Sequence, residues 1–382
     1  SFEISIRGGE GLMFGFIGVG QAGGSVADEA MKRGFHSVAI NYSLSDLNSL
    51  VNIQDKLHLV GTEGVGKDRR IAAEHMKNNW ESSIEFIKNT MEKPSVQVIF
   101  VVFSAAGGTG SGVAPILLEL LNECLTHKTI VAVPILPDNN EVLVNQMNTL
   151  ELLNDLSMPE TCVLPLDNQM VLSKYEGKIS ESRLYKETNK MFLDLIEVLL
   201  NYTDRGSKIS TLDRKDLNQL FDTPGIMTIA QTDLNEFTNE GKYFDKLHED
   251  IQKSWNNSIF TPVEFTNVMR AGVILDVHEF LTEHISYNEL FNVFDNKMPL
   301  DLFKGHYDKG NMVITILSGL TWINERMKQL DDLIENGNTE VKETTVYKAK
   351  NRRREDLFKP KKLENKESKK TSYMEALKRL KR

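Results

Sequence analysis

Residues Val96 to Ser104 read VQVIFVVFS, and they run straight into Ala105-Ala106-Gly107-Gly108-Thr109-Gly110-Ser111-Gly112. A continuous run of β-branched and aromatic residues marks a strand buried on both faces. Four glycines in six positions, followed by a helix-patterned stretch, are costly unless the backbone must bend tightly around something. The amides of residues 107 to 111 can form an anion-binding nest, to which Thr109 and Ser111 add hydroxyl donors. No Lys follows these glycines, so the loop is not of Walker A type. Phosphate charge is then met by amides, the helix dipole and Mg²⁺. The alternative is a close strand-to-helix packing turn.

A second glycine loop stands earlier in the chain. Gly18-Val19-Gly20-Gln21-Ala22-Gly23-Gly24 matches the G-x-G-x-x-G pattern between a predicted strand, Met13 to Val19, and a helix. Such glycines let backbone N–H groups approach phosphate oxygens at a helix start. A dinucleotide-binding dehydrogenase also wants an acid about 20 residues on, at the end of the second strand. That strand, Ser37 to Asn41, continues into Tyr42-Ser43, so the dehydrogenase reading loses its most specific support.

Residues 13 to 156 alternate short apolar runs with amphipathic stretches, the βαβ signature of a mostly parallel sheet. Strands are expected at Thr129 to Leu136 and Thr161 to Leu166, and helices at Lys67 to Met91, Val113 to His127 and Glu141 to Leu156. Ser180 to Tyr202 reads as one long helix with a stripe of Leu184, Met191, Leu195, Val198 and Leu199. A second alternation follows: GIMTIAQTDL, a helix near 242 to 257, VMRAGVILDV, a helix near 278 to 294, NMVITILSGL, and a final helix from Thr321 to Glu335. The expected fold is α/β: a Rossmann-like nucleotide domain over 1–180, a connecting helix over 181–203, a smaller α/β domain over 204–320, and a C-terminal helix and linker over 321–347.

The net charge of −9 conceals a division. Residues 348–382 hold 15 Lys+Arg against 5 Asp+Glu, a balance of +10, which leaves −19 on the rest. This basic tail has the composition of a disordered segment; a solvated tail, nonspecific DNA contact and docking to a partner are its three readings. No apolar stretch approaches the roughly 20 residues of a bilayer span, the start lacks a secretory pattern, and Cys124 and Cys162 have no partner at metal-ligand spacing. A cytoplasmic protein with free thiols and no membrane contact is expected.

Taken in order over about 300 residues, these features resemble the tubulin/FtsZ superfamily, whose GGGTGTG-like signature corresponds here to AGGTGSG at 106 to 112. Within it the sequence looks closest to TubZ, the plasmid and phage partitioning branch, through EGVGKDRR, LPDNNE, FDTPG and the basic tail. The resemblance implies a GTP-binding fold in which Gly20, Gln21, Ala22, Gly23, Gly64, Gly66, Ala106, Gly107, Gly108, Thr109, Gly110 and Ser111 hold the phosphates and their Mg²⁺. No direct protein ligand to the metal is expected. Glu141 takes the ribose position, and Asn168, Tyr185 and Asn189 take the guanine positions. Two positions depart from the family: the acid of its Asn-Thr-Asp is Ser43, and its Arg four residues after the ribose Glu is Asn145.

No convincing base for attacking water stands near the glycine loops. Asp213-Arg214-Lys215-Asp216 resembles the family loop whose acids reach the GTP of the next subunit. Asp213 and Asp216, at i and i+3, can share one helical face and polarise water with no raised or depressed pKa; Thr211 or Asp213 also suits a helix N-cap. The resemblance thus implies a GTPase, turning GTP into GDP within a head-to-tail filament. Through Arg352, Arg353, Arg354, Lys378 and Arg379 it engages a DNA-bound adaptor, so that DNA is a partner only indirectly. A cell-division or phage-centring filament, and a Rossmann-type nucleotide enzyme, are the alternatives.

Overall fold

The computed structural model describes residues 14–157, 160–207, 209–235 and 246–344. The first alternation is β1 (Phe14–Val19), α1 (Gly20–Lys32), β2 (His36–Asn41), α2 (Leu44–Ser49), β3 (Lys56–His58), α3 (Arg69–Met91), β4 (Val98–Ser104), α4 (Gly108–Cys124), β5 (Thr129–Leu136), α5 (Leu143–Leu156), β6 (Cys162–Val163) and β7 (Leu166–Asp167). Then come α6 (Asn168–Lys174), the long α7 (Glu181–Thr203), α8 (Arg214–Phe221), β8 (Gly225–Asp233), α9 (Leu247–Trp255), β9 (Arg270–Asp276), α10 (Glu279–Thr282), α11 (Tyr287–Leu290), β10 (Asp301–Tyr307), β11 (Met312–Leu320) and α12 (Asn324–Thr344). Residues up to Asp331 form one compact unit; a second unit starts at Asp332, and its described part is the remainder of α12.

Among the described residues the strands make one sheet, ordered β10-β9-β11-β8-β6-β5-β4-β1-β2-β3, with β7 also paired to β5. All pairings are parallel except those of β11, which runs against both β8 and β9. The sheet is therefore parallel-dominated, and its second part continues from the first through the β6–β8 pairing. Val98 to Phe103 of β4 have no exposed surface, as their unbroken apolar run demands.

Aromatic packing ties the long helix to this sheet. Phe100 of β4 meets Phe16 of β1, Phe192 of α7 and Phe221 of α8 at centroid distances of 5.2, 6.0 and 5.2 Å. Burying side chains of this size contributes roughly 1.5–3 kcal/mol each, which holds α7 across the molecule as a rigid strut. On the same face, α1 presses so close to β4 that a Cβ on Gly23 would stand 2.0 Å from the Val102 carbonyl oxygen. No side chain fits there. Gly23→Ala is expected to cost about 1–3 kcal/mol or more by forcing the helix off the strand; an unchanged urea midpoint would show that the contact gives way freely.

Several elements differ from expectation: the strand expected at Thr161 to Leu166 is two short strands, β6 and β7, and α2, β3 and α6 were not anticipated. α4 begins at Gly108, inside the glycine run, because the run is itself the helix start. The helix expected near 278 to 294 is two single turns, α10 and α11, each capped by its own residue, His278 and Ser286. β10, DLFKGHY, was not anticipated: as an edge strand it is half-exposed and lacks an apolar run. Its outer edge is covered by the segment before α8. Ser210 Oγ donates to Lys304 O at 2.9 Å, His306 N donates to Ser210 O at 2.9 Å, and Ser207 Oγ donates to His306 O. Covering an edge in this way blocks stray strand pairing and fixes the approach to Asp213.

Candidate nucleotide site

Parallel strands deliver their connecting loops to one end of the sheet, and both glycine loops lie there, after β1 and β4. Gly20 opens α1 and Gly108 opens α4, and neither helix has a side-chain cap. Their first-turn N–H groups thus lack intrahelical partners, and the dipoles favour an anion. The two starts face each other, since a Cβ on Gly20 would stand 3.2 Å from Gly110 N. Gln21 and Ala22 belong to the same first turn of α1, with Gly23 one residue beyond, against β4.

Inside the second loop some groups are already engaged. Ser104 Oγ accepts from Ala106 N and Gly107 N, each at 3.2 Å, and the buried Ser111 hydroxyl donates back to Gly107 O. The amides of Gly108, Thr109 and Gly110, with the Thr109 hydroxyl, remain for phosphate oxygens. Ser104, which shapes the loop, was not singled out in the sequence.

Gly64 and Gly66 bracket Val65, whose segment lies directly on the start of α4. A Cβ on Gly108 would meet Val65 Cγ2 at 2.6 Å and Lys67 Cα at 2.9 Å. Asn148 locks the contact, its Nδ2 donating to Lys67 O and Ala106 O at 3.0 Å each. Asn145, Gln146, Asn148 and Thr149 are all buried on α5; polar residues on the inward stripe of a helix were the available signal for them.

From here a polar chain leads away from the phosphate loops. Lys67 Nζ donates to Asn145 Oδ1 at 3.0 Å, and Asn145 Nδ2 donates to Glu141 Oε2. The Tyr185 hydroxyl lies 2.9 Å from Glu141 Oε1 and 2.8 Å from Glu181 Oε1, so its one proton can be donated to either carboxylate. Burial first, then these two carboxylates, push its pKa far up. One turn further along α7, Thr188 Oγ1 donates to Asn168 Oδ1 at 3.0 Å, so Asn168 directs its Nδ2 elsewhere. Asn189 is the next residue, half-buried. Glu141, Asn168, Tyr185 and Asn189 are therefore brought to one end of α7.

Beneath Asn168 lies a buried ion pair. Asp167 caps α6, and its carboxylate takes Arg326 Nε at 2.9 Å and Nη2 at 3.2 Å. Arg326 also donates to Pro137 O and Asn139 Oδ1 at 2.8 and 2.7 Å, joining α12 to both segments that flank the site. Burial raises the Asp167 carboxyl and Arg326 pulls it back.

Asp213 and Asp216 are not part of this assembly. Arg214, between them, pairs with Asp204, the C-cap of α7, at 2.8 Å. The acids thus sit at the far end of a 23-residue helix, whose last residue, Thr203, is about 27 Å beyond Tyr185 at 1.5 Å per residue. They form a capping box: Asp213 Oδ1 accepts from Lys215 N and Asp216 N, and Asp213 N donates to Asp216 Oδ2. The sequence reading required no shifted pKa of these acids, but the pKa of Asp216 is raised from its ordinary value. Burial raises it, the neighbouring Asp213 and Asp301 charges add to this, and the bond from Asp213 N opposes it. Arg352, Arg353, Arg354, Lys378 and Arg379 lie outside the described residues.

Residues 15–176 match the family model described as Tubulin/FtsZ family, GTPase domain. This segment is a tubulin/FtsZ GTPase domain. The chain is 27% identical over 338 residues to the tubulin-like protein CetZ of Pyrococcus abyssi, covering 83% of this chain and 87% of that one. It is 26% identical over 350 residues to the tubulin-like protein TubZ of Clostridium botulinum C phage, covering 86% and 85%. Its fold matches that of Bacillus thuringiensis serovar israelensis TubZ, solved as a GTPγS-form protofilament, with a TM-score of 0.74 at 18% identity over 88% of this chain and 94% of the other. In the GTPase domain the uncapped α1 and α4 starts suit a polyphosphate. Among the described residues no helix is long and apolar enough to cross a membrane.

Proposed function

We propose that this chain is a guanine-nucleotide-dependent filament protein whose subunits complete one another's active sites. In this reading the glycine loops hold the phosphates of GTP, with Mg²⁺ carried on phosphate oxygens. Glu141 holds the ribose, while Asn168, Tyr185 and Asn189 recognise guanine. Asp213 and Asp216 of the next subunit polarise the attacking water. The observation that carries it is the length of α7, which keeps the acids from the phosphate loops of their own chain. Only a head-to-tail neighbour brings the two ends together. Apolar surface at both ends supports such a contact: Val142, Val144 and Met147 are exposed beside Glu141, and Ile209 and Leu300 are exposed next to the acid loop and Asp301.

The task assigned is segregation of plasmid or phage DNA in the cytoplasm, with the basic tail from 348 to 382 docking to a DNA-bound adaptor. The similarity to TubZ and the +10 balance of that tail support it. CetZ relatives of comparable identity support the same chemistry in a filament with another task. Light scattering and sedimentation with GTP, GDP and a non-hydrolysable analogue test the assembly: GTP and the analogue give pelletable polymer, GDP does not, and turnover per subunit rises with protein concentration. Turnover independent of concentration would sink the shared-site reading.

A further inference from the structure

We propose that Arg326 is a positioning residue for nucleoside recognition: its guanidinium ties the segment carrying Glu141 to the one carrying Asn168, and so sets the spacing of the ribose and guanine contacts. This rests on the reading of Glu141 and Asn168 as those contacts. Strands β5 and β7 pair only as far as Leu136 and Asp167. Beyond that register the two chains part, one into residues 137–141 and the other into α6, which Asn168 opens. Arg326, from α12, takes over where the ladder stops.

Every guanidinium N–H finds an acceptor. Nε and Nη2 take the two Asp167 oxygens, Nη2 also takes Pro137 O, and Nη1 takes Asn139 Oδ1 and, at 3.5 Å, Gln329 Oε1. On one side, Pro137 is followed by Asp138, whose carbonyl accepts from Glu141 N at 3.3 Å and from Gln146 Nε2 at 2.8 Å. The place of Pro137 thus sets that of Glu141. On the other side, Asp167 Oδ1 accepts from Gln169 N at 3.0 Å and starts the helix at Asn168. The side chains of Arg326 and Asp167 are only 4% and 1% exposed. A buried ion pair is seldom more stabilising than apolar residues of the same volume, so stability alone gives no reason for a cation here. A planar fork that fixes acceptors from two chain segments at once is what neither an apolar side chain nor a point-charge ammonium supplies. Another bond, from Asn139 N to Gln169 Oε1 at 2.9 Å, joins the same segments, but it is exposed to water.

The test measures GDP affinity by titration below the assembly concentration, and kcat at saturating GTP above it, for wild type, Arg326→Lys, Asn139→Ala and Val313→Ala. Lysine keeps the charge beside Asp167 but cannot also reach Pro137 and Asn139. Arg326→Lys is expected to weaken GDP binding roughly 10-fold with kcat within about twofold of wild type, and Asn139→Ala, which leaves the ion pair intact, to weaken it about threefold. Val313→Ala opens a cavity in β11, outside residues 15–176; it lowers the melting temperature without moving GDP affinity. Full GDP affinity in the lysine variant, whatever its melting temperature or kcat, overturns the assignment, as does equal weakening by Val313→Ala. If Arg326→Lys does not fold, Asn139→Ala decides, and full affinity there overturns the proposal. A wild type that binds no GDP, or Asn168→Ala with full GDP affinity, removes the site reading itself.

Discussion

Chains carrying Asp213→Asn or Asp216→Asn are expected to bind GTP as wild type does, to assemble, and to hydrolyse GTP roughly 10²- to 10⁴-fold more slowly. Asn is the informative substitution because Asp213 is also the N-cap of α8. Replacing it by Ala would remove the cap, worth about 1 kcal/mol, whereas Asn caps nearly as well. A slow Asn variant therefore reports on charge and not on helix stability. Polymers of either variant should persist after wild-type polymer has disassembled. Full turnover by both, measured at concentrations where wild type pellets, would remove these acids from the mechanism.

The raised pKa of Asp216 adds a pH signature. If the carboxylate form polarises water, as proposed, turnover is expected to fall as pH drops through the Asp216 pKa, which burial raises from its ordinary value. The acid limb of the rate profile should thus lie higher than a free aspartate would give, and it should vanish in the residual activity of Asp216→Asn.

Arg326→Met is expected to lower folding stability by about 3–5 kcal/mol at neutral pH, because it leaves the Asp167 carboxylate buried without its counter-charge. The sign with pH follows from the direction of the shift. Without Arg326 the folded-state pKa of Asp167 rises further above its unfolded value, so the folded state binds the extra proton. Stability of the variant therefore improves as pH falls through that raised pKa and worsens as pH rises through it. Urea midpoints for wild type and variant should converge toward acid pH. Adding Asp167→Asn, which keeps the α6 cap, should recover much of the loss at neutral pH; a double variant no more stable than Arg326→Met would show that Arg326 acts mainly through Pro137 and Asn139.

How much of this was readable beforehand depends on the distance over which each feature is encoded. The strand at 98–104, the glycine run that starts α4 and the stripe of α7 are written within 10 to 25 neighbouring residues, because burial on both faces, tight turns and helical periodicity are local demands. β10 was unreadable for the same reason reversed: an edge strand needs no apolar run, and only pairing with β9 makes DLFKGHY a strand. An N-cap at Thr211 or Asp213 was foreseen, but the raised pKa of Asp216 comes from burial first and then from charges that include Asp301, whose proximity the chain order conceals.

By itself the sequence determined a parallel α/β sheet with two phosphate-type loops and a long helix beyond them. The tertiary structure alone decided which side chains meet: Lys67 with Asn145 across 78 positions, Arg326 with Asp167 across 159, and Asp213 with neither glycine loop. Local backbone preferences select elements, whereas hydrogen bonds and ion pairs between distant residues exist only once the sheet has closed around one core. The same packing makes α7 a rigid strut, and its length keeps one half of the proposed site at the opposite end of the chain.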